Sequence, residues 1–185
     1  RISNFTDFNP FESIPGVSLR YVKSVSELQD PDMVILPGTK NTMEDLQWLR
    51  QSGLEAAILK LAGKGRIVMG ICGGYQMLGE NLSDPEGVEA GGNMRGLGLL
   101  QMDTVFSPKK TRTQVEGVFS QVGGMLADLE GVAFSGYEIH MGEPVLAGET
   151  HGLDRLTDRV TGTVKQDGAC SGNVYGTYVH GIFDR

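Results

Sequence analysis

Two short apolar runs interrupt the first half of the chain, and each ends in a sharp turn. Met33–Leu36 is continuously apolar and is closed by Pro37 and Gly38, while residues 66–71 lead directly into Cys72. Runs of this length are typical of strands covered on both faces in a parallel sheet. They predict two buried strands, each followed by a corner at which a site can be built.

Segments with a helical pattern of apolar residues lie between these two strands and after the second one. Across residues 42–61, apolar side chains recur mostly every three or four positions, with Asn41 or Thr42 as the N-cap. Gly53 interrupts the pattern, which predicts two helical pieces. A further helix is predicted over 75–82. Strand, helix, strand, sharp turn and helix together are typical of a doubly wound α/β fold.

The second half has shorter, β-like segments separated by turns that contain Gly or Asp. Residues 84–95 form a predicted loop that could cover a site, and 17–22 alternate like a half-buried strand. We therefore expect an α/β fold, with a doubly wound, mostly parallel sheet, flanking helices and additional β-strands in the second half. The additional strands are predicted at 97–106, 114–118, 134–141, 161–165 and 174–179.

The opening of the chain differs from the rest. Residues 1–16 contain three Phe and two Pro without a helical or strand period. We expect this segment to be a linker from a preceding domain, with its phenylalanines packed against the folded part. Residues 17–185 are predicted to form one domain, which need not be complete at its carboxyl end.

Charge and composition exclude several functional classes of protein. The formal net charge is −7, and no basic cluster is long enough to follow a phosphate backbone, so we expect no nucleic-acid binding. The apolar runs are too short for a membrane span and no signal peptide is visible, which predicts a cytoplasmic protein without membrane contact. The two cysteines, Cys72 and Cys170, fit neither a disulfide framework nor a metal-ligand spacing.

Cys72 is the strongest candidate for chemistry. Two glycines follow it and Gly70 lies two residues before it, where a buried strand turns into a helix. This is the pattern of a nucleophile elbow, in which a strained turn exposes the nucleophile and the helix N-terminus favours the thiolate. The alternative is a small apolar residue in a core strand, although glycines weaken a buried strand. Cys170 lies in a polar stretch and is expected to be a loop cysteine without a catalytic role.

A cysteine nucleophile needs a base, and the chain has three histidines. His180 follows the predicted strand at 174–179 and precedes Gly181, as expected of a site residue. Alternation places His140 on the same strand face as Glu138, where a structural role is as well supported as a role in the site. His151 lies in a polar turn and is expected to be solvated.

Several segments resemble a known family. Residues 70–79 (GICGGYQMLG) resemble the nucleophile motif of class I glutamine amidotransferases. Residues 37–42, 136–142 and 176–183 are similar to the accompanying blocks of the cobyric acid synthase family. The opening, residues 1–8, is similar to the segment that joins the ATP-dependent synthetase half of such enzymes to their glutaminase half.

The resemblance implies a mechanism and its residues. Cys72 would attack the side-chain amide of glutamine and form a glutamyl thioester, with His180 as its partner. The backbone N–H groups of Gly38 and Gly73 would form the oxyanion hole. Gln76 would help to hold the substrate.

One position departs from the class I pattern. Many relatives carry a Glu two residues after the catalytic His, whereas this chain has Ile182. Another acceptor must orient His180, or the site works as a dyad. Glu138 and Asp184 are candidates by residue type alone.

The resemblance also implies partners outside these residues. The ammonia would serve an N-terminal synthetase domain that uses ATP and Mg²⁺ to amidate carboxylates of a corrin. This domain itself has no phosphate-binding loop and is expected to hold no cofactor or metal. The alternatives are the glutaminase domain of a cobyrinic acid a,c-diamide synthase, a cysteine hydrolase on the same elbow, and a non-catalytic docking domain.

Overall fold

The computed structural model describes residues 2–184, so Arg1 and Arg185, the outer ends of the two predicted segments, lie outside the described residues. The fold combines helices with two β-sheets, which confirms the α/β class with a parallel sheet and flanking helices. The α-helices are α1 (Asn9–Glu12), α2 (Val25–Leu28), α3 (Thr42–Gln51), α4 (Leu54–Gly63) and α5 (Gly73–Met77), and short 3-10 helices span Phe5–Phe8 and Gly124–Leu129. The strands are β1 (Met33–Leu36), β2 (Ile67–Ile71), β3 (Asn81–Asp84), β4 (Gly92–Arg95), β5 (Met102–Phe119), β6 (Ala133–Leu146), β7 (Asp154–Asp158), β8 (Val164–Asp167), β9 (Ala169–Ser171), β10 (Val174–Thr177) and β11 (Val179–His180).

The smaller sheet positions the site. Its strand order is β1-β2-β10-β9, and β1, β2 and β10 run parallel. Parallel neighbours end at the same edge, so the residues after β1, β2 and β10 meet there. Gly38, Cys72 and His180 all follow these three strands within three residues.

Burial explains the apolar run of β2. Val68 packs into one hydrophobic cluster with α3 and α4, while Ile67 and Met69 pack into a second cluster with β5 and β6. Both faces of the strand are thus covered, as predicted.

The helix predicted over 42–61 divides at Gly53, which has a φ of 81°. The Asn41 side chain caps α3 by accepting a 3.0 Å hydrogen bond from the Glu44 N–H.

The second sheet is more continuous than predicted. Residues 102–119 form one strand, β5, which pairs with β6 along a long antiparallel ribbon. The predicted break between 106 and 114 is an irregularity in the register between Val105 and Lys110. β11, β3, β4, β7 and β8 complete this sheet.

Several local predictions are wrong. The strand predicted at 97–106 begins only at Met102, the one predicted at 161–165 lies at Val164–Asp167, and the one predicted at 174–179 is interrupted at Tyr178. Residues 17–22 form no strand, and their alternation leaves Val17 and Tyr21 exposed. The helix expected over 75–82 ends at Met77, because residues 81–84 join the second sheet as β3. Cys170 lies in strand β9 and is fully buried, and burial raises the pKa of its thiol.

Whether residues 1–16 join this domain to another stays a prediction. The described part of this segment packs on the domain: the Phe8 and Tyr21 rings lie 6.3 Å apart and the Phe11 and Phe183 rings 4.7 Å apart. Among residues 2–184, the structure contains no helix with the length and apolar character needed to cross a bilayer.

Candidate active site

Cys72 occupies a strained turn between β2 and α5. Its backbone has φ 52° and ψ −111°, a conformation that a residue with a side chain rarely adopts. The Cys72 N–H donates a 2.8 Å hydrogen bond to the carbonyl of Thr177 at the end of β10. The side chain is partly exposed, and Sγ lies 3.3 Å from the Ile139 carbonyl oxygen. These features are those of a nucleophile elbow rather than of a core strand.

His180 lies next to Cys72 at the end of β11. The imidazole is largely buried and stacks on the ring of Tyr137, with centroids 5.2 Å apart. Burial lowers the pKa of His180, but hydrogen bonds to Asp7 and Cys72 and the negative charges of both groups more than offset it and raise the pKa to about 9. The imidazolium is therefore the favoured form at neutral pH, ready to donate a proton.

Asp7 supplies the acceptor that the sequence lacks after His180. Its Oδ2 lies 2.8 Å from His180 Nδ1, and its Oδ1 accepts a 2.9 Å hydrogen bond from the Gly181 N–H. The carboxylate is 3% exposed, so these contacts are shielded from water. Neither candidate suggested by residue type has this role: Glu138 pairs with Lys165, and Asp184 is exposed.

Gly38 and Gly73 both approach the reacting groups. A Cβ at Gly38 would lie 3.0 Å from His180 Cε1 and 3.7 Å from Cys72 Cβ, and one at Gly73 would lie 2.6 Å from Thr39 Oγ1. Neither position has room for a side chain without movement of a neighbour. The structure thus brings the two predicted oxyanion-hole residues to the nucleophile, while their role stays a prediction.

A cavity of about 150 Å³ opens beside Cys72. Three charged side chains line it: Lys40 after β1, Lys110 on β5 and Glu89 on the loop between β3 and β4. Both carboxylate oxygens of Glu89 accept hydrogen bonds from the first N–H groups of α3, at 3.1 and 3.0 Å, which fixes the carboxylate in place. The loop predicted over 84–95 reaches the site through Glu89, but it is shorter than predicted, because Asp84 belongs to β3 and residues 92–95 form β4.

Gln76 lies in the wall of this cavity. Its Oε1 accepts a 3.1 Å hydrogen bond from Thr42 Oγ1, and its Nε2 donates to the Met141 carbonyl at 2.8 Å and to the Tyr178 hydroxyl at 3.3 Å. The side chain is 3% exposed. These contacts hold the amide rigidly, and its predicted contact with substrate is untested.

The other histidines differ in position. His140 lines the cavity and stacks on Tyr178, with centroids 3.6 Å apart, and its Nε2 lies 3.7 Å from Glu138 Oε1. It thus has both a structural contact and a place in the site wall. His151 is exposed, as expected. Within the described part of the chain, no three His, Cys, Asp or Glu side chains are arranged to hold a metal ion.

Sequence reasoning missed Asp7, Glu89, Lys40 and Lys110. Asp7 lies in a segment without periodicity, so its distance from His180 could not be inferred. The signal for Glu89 was the loop itself, because an acidic residue in a loop predicted to cover a site is a candidate ligand for a positively charged substrate group.

Comparison with known proteins shows the family of the chain. The CobB/CobQ-like glutamine amidotransferase domain model matches residues 1–185. The chain is 56% identical to a cobyric acid synthase from Ruminiclostridium cellulolyticum, over 100% of this chain and 36% of that protein. It is 50% identical to one from Moorella thermoacetica, over 99% of this chain and 36% of that protein. The chain thus spans little more than a third of these relatives.

Solved structures share the fold at low identity. The structure of PurLQS from Thermotoga maritima matches with a TM-score of 0.66 and 23% identity, over 94% of this chain and 79% of that one. A crystal structure of a glutamine amidotransferase matches with a TM-score of 0.61 and 18% identity, over 91% and 80% of the two chains. The family match over the whole sequence confirms the resemblance seen in residues 70–79, and the chain belongs to the CobB/CobQ-like glutamine amidotransferase domain family.

Proposed function

We propose that this chain is the glutaminase domain of a cobyric acid synthase, with Cys72 as nucleophile and His180 as acid and base. The observation that carries the proposal is the strained turn at Cys72, which presents its sulfur to a buried His180 with a pKa near 9. Relatives named cobyric acid synthase at 50% identity or more favour this enzyme over the a,c-diamide synthase.

The first half of the reaction forms a thioester. The Cys72 thiolate attacks the side-chain carbonyl carbon of glutamine, and the electron pair of the C=O bond moves to oxygen. N–H groups of Gly38 and Gly73 would stabilise that oxyanion, a contribution of about 3 kcal/mol for one donor in comparable sites. The imidazolium of His180 then protonates the amide nitrogen, the C–N bond breaks, and ammonia leaves.

The second half regenerates the enzyme. Neutral His180 takes a proton from water, the resulting hydroxide attacks the thioester, and the C–S bond breaks to return the thiolate. Glutamate leaves with a new carboxyl group whose proton is lost to solvent. Each turnover therefore converts glutamine and water to glutamate and ammonia.

The charged groups of the cavity suit the other end of glutamine. Lys40 and Lys110 are positioned to attract the α-carboxylate, and Glu89 to attract the α-ammonium group. The ammonia would serve an ATP- and Mg²⁺-dependent synthetase domain that amidates corrin carboxylates. That domain would be part of the length that the relatives have and this chain lacks.

The test is glutamate release from glutamine by the full-length protein that contains this chain. We expect Cys72→Ser to lose all activity, whereas Cys170→Ala, which changes the other cysteine, keeps it. Equal activity in Cys72→Ser would refute the nucleophile. A folded wild-type protein without turnover, even with its synthetase substrates, would favour a docking domain instead.

A further inference from the structure

The described opening of the chain lies across the active site as a strap, defined here as residues 2–12. At one end, Ile2 forms an antiparallel bridge with Thr39, and the Ser3 N–H donates a 2.9 Å hydrogen bond to the Gly38 carbonyl. Asn4 Nδ2 donates a 2.6 Å hydrogen bond to the hydroxyl of Tyr137, the residue whose ring stacks on His180. The strap thus touches the Gly38 corner and Tyr137, whose ring stacks on the imidazole.

Asp7 is the point at which the strap meets the catalytic pair. It is a buried carboxylate with both oxygens engaged, one by His180 Nδ1 and one by the Gly181 N–H. A hydrogen bond from a ring nitrogen to a carboxylate fixes the tautomer and the orientation of the ring and stabilises its charged form. With Ile182 at the usual acidic position, Asp7 is placed to take over that function.

Little of the strap is buried, although hydrogen bonds and ring contacts hold it at several points. Of residues 5–12, only Asp7 and Phe8 are buried, and the two helical pieces have four residues each. Segments with little buried apolar surface open locally at low free energy. Docking of Asp7 therefore depends on a largely exposed segment rather than on the buried sheet that carries Cys72.

We propose that Asp7 is the positioning residue for His180 and that docking of the strap switches the glutaminase between an active and a nearly inactive state. This inference rests on the proposed glutaminase function. When the strap is docked, Asp7 orients His180 and Ser3 backs the Gly38 corner; when it lifts, both supports leave together. Any domain attached ahead of the strap could control glutamine hydrolysis by pulling on it.

The first experiment compares Asp7→Asn, Asp7→Glu and Asp184→Asn in the full-length protein, with folding checked by circular dichroism. We expect Asp7→Asn to lower kcat by about 10²–10⁴-fold with little change in KM. Asp7→Glu should recover part of this loss, and the exposed Asp184→Asn should match the wild type. The alkaline limb of the pH profile should also move to lower pH in Asp7→Asn. The hydrogen bond and the charge of Asp7 that raise the pKa of His180 are then gone, while burial, the contact with Cys72 and the stacked ring of Tyr137 remain.

The second experiment lifts the strap without touching His180. Phe8→Ala removes its buried apolar anchor. Hydrogen exchange of residues 2–12 should become faster, and kcat should fall in proportion to the undocked fraction. If Asp7→Asn keeps kcat within twofold and the same alkaline limb, or if Phe8→Ala speeds exchange without loss of kcat, the proposal is overturned. A wild-type protein that releases no glutamate would instead defeat the glutaminase function itself.

Discussion

His180 Nδ1 and Asp7 Oδ2 lie 2.8 Å apart although 173 positions separate the two residues in the sequence. The contact joins the end of β11, the last strand, to the opening of the chain. In the proposed mechanism it would take the place of the acid that many class I relatives carry two residues after their histidine. The proposed site would therefore have three members, with an acid that comes from outside the sheet.

The pH dependence of glutamine hydrolysis follows from the pKa of His180. It is raised from 6.5 to about 9, against the lowering effect of burial, by hydrogen bonds to Asp7 and Cys72. The imidazolium that protonates the leaving nitrogen persists up to this pH and is lost above it. We expect kcat/KM to fall tenfold per pH unit above about 9. A profile that already falls near pH 6.5 would contradict the ion-paired site.

Gly38→Ala tests the corner beside the nucleophile. The new Cβ would lie 2.9 Å from Ser3 Oγ and 3.0 Å from His180 Cε1, so the imidazole or the strap must shift. We expect kcat to fall at least about tenfold, because misplacement of a reacting group by about 1 Å can cost a hundredfold. Gly63→Ala is the matched control, since a Cβ there meets no atom within 4 Å.

Lys110→Met tests recognition of the substrate. If Lys110 attracts the α-carboxylate equally in the ground state and the transition state, its loss raises KM for glutamine and leaves kcat unchanged. We expect an increase of about tenfold, with the neighbouring Lys109→Met as control because Lys109 does not line the cavity. Equal KM values for both variants would remove Lys110 from the binding site.

Asp154 offers a test of stability away from the reaction. It is fully buried, and burial followed by repulsion from Asp167 and Glu138 raises its pKa from 3.8 to about 8. The native state thus holds a proton that the unfolded state releases, so stability is lost as the pH rises from about 4 to about 8. Asp154→Asn should raise the melting temperature at pH 8.5 by several degrees and change it little at pH 5.

The control for this variant is Asp30→Asn. Asp30 is largely exposed and forms a surface ion pair with Arg66, which contributes little to stability. We expect its melting temperature to follow the wild type at both pH values. A destabilised Asp154→Asn at pH 8.5 would show that the carboxylate is ionised and bound within the fold.

The sequence predicted the local geometry of the site better than its long-range contacts. The run before Cys72 is apolar because both faces of β2 are covered, and the glycines after it allow the turn, so both signals were local. Asp7 could not be found in this way, since only the folded chain brings it to His180. The alternation of apolar and polar residues at 17–22 led to a wrong strand prediction, because Val17 and Tyr21 stay exposed and the segment pairs with no strand.

The covalent intermediate is the most direct test of the account. The full-length protein would be mixed with glutamine, quenched in acid within one turnover, digested and examined by mass spectrometry. We predict a glutamyl group on the peptide that contains Cys72, absent in Cys72→Ser and present in Cys170→Ala. A protein that releases glutamate while Cys72 stays unmodified at every quench time, or that carries the group elsewhere, would contradict the thioester mechanism.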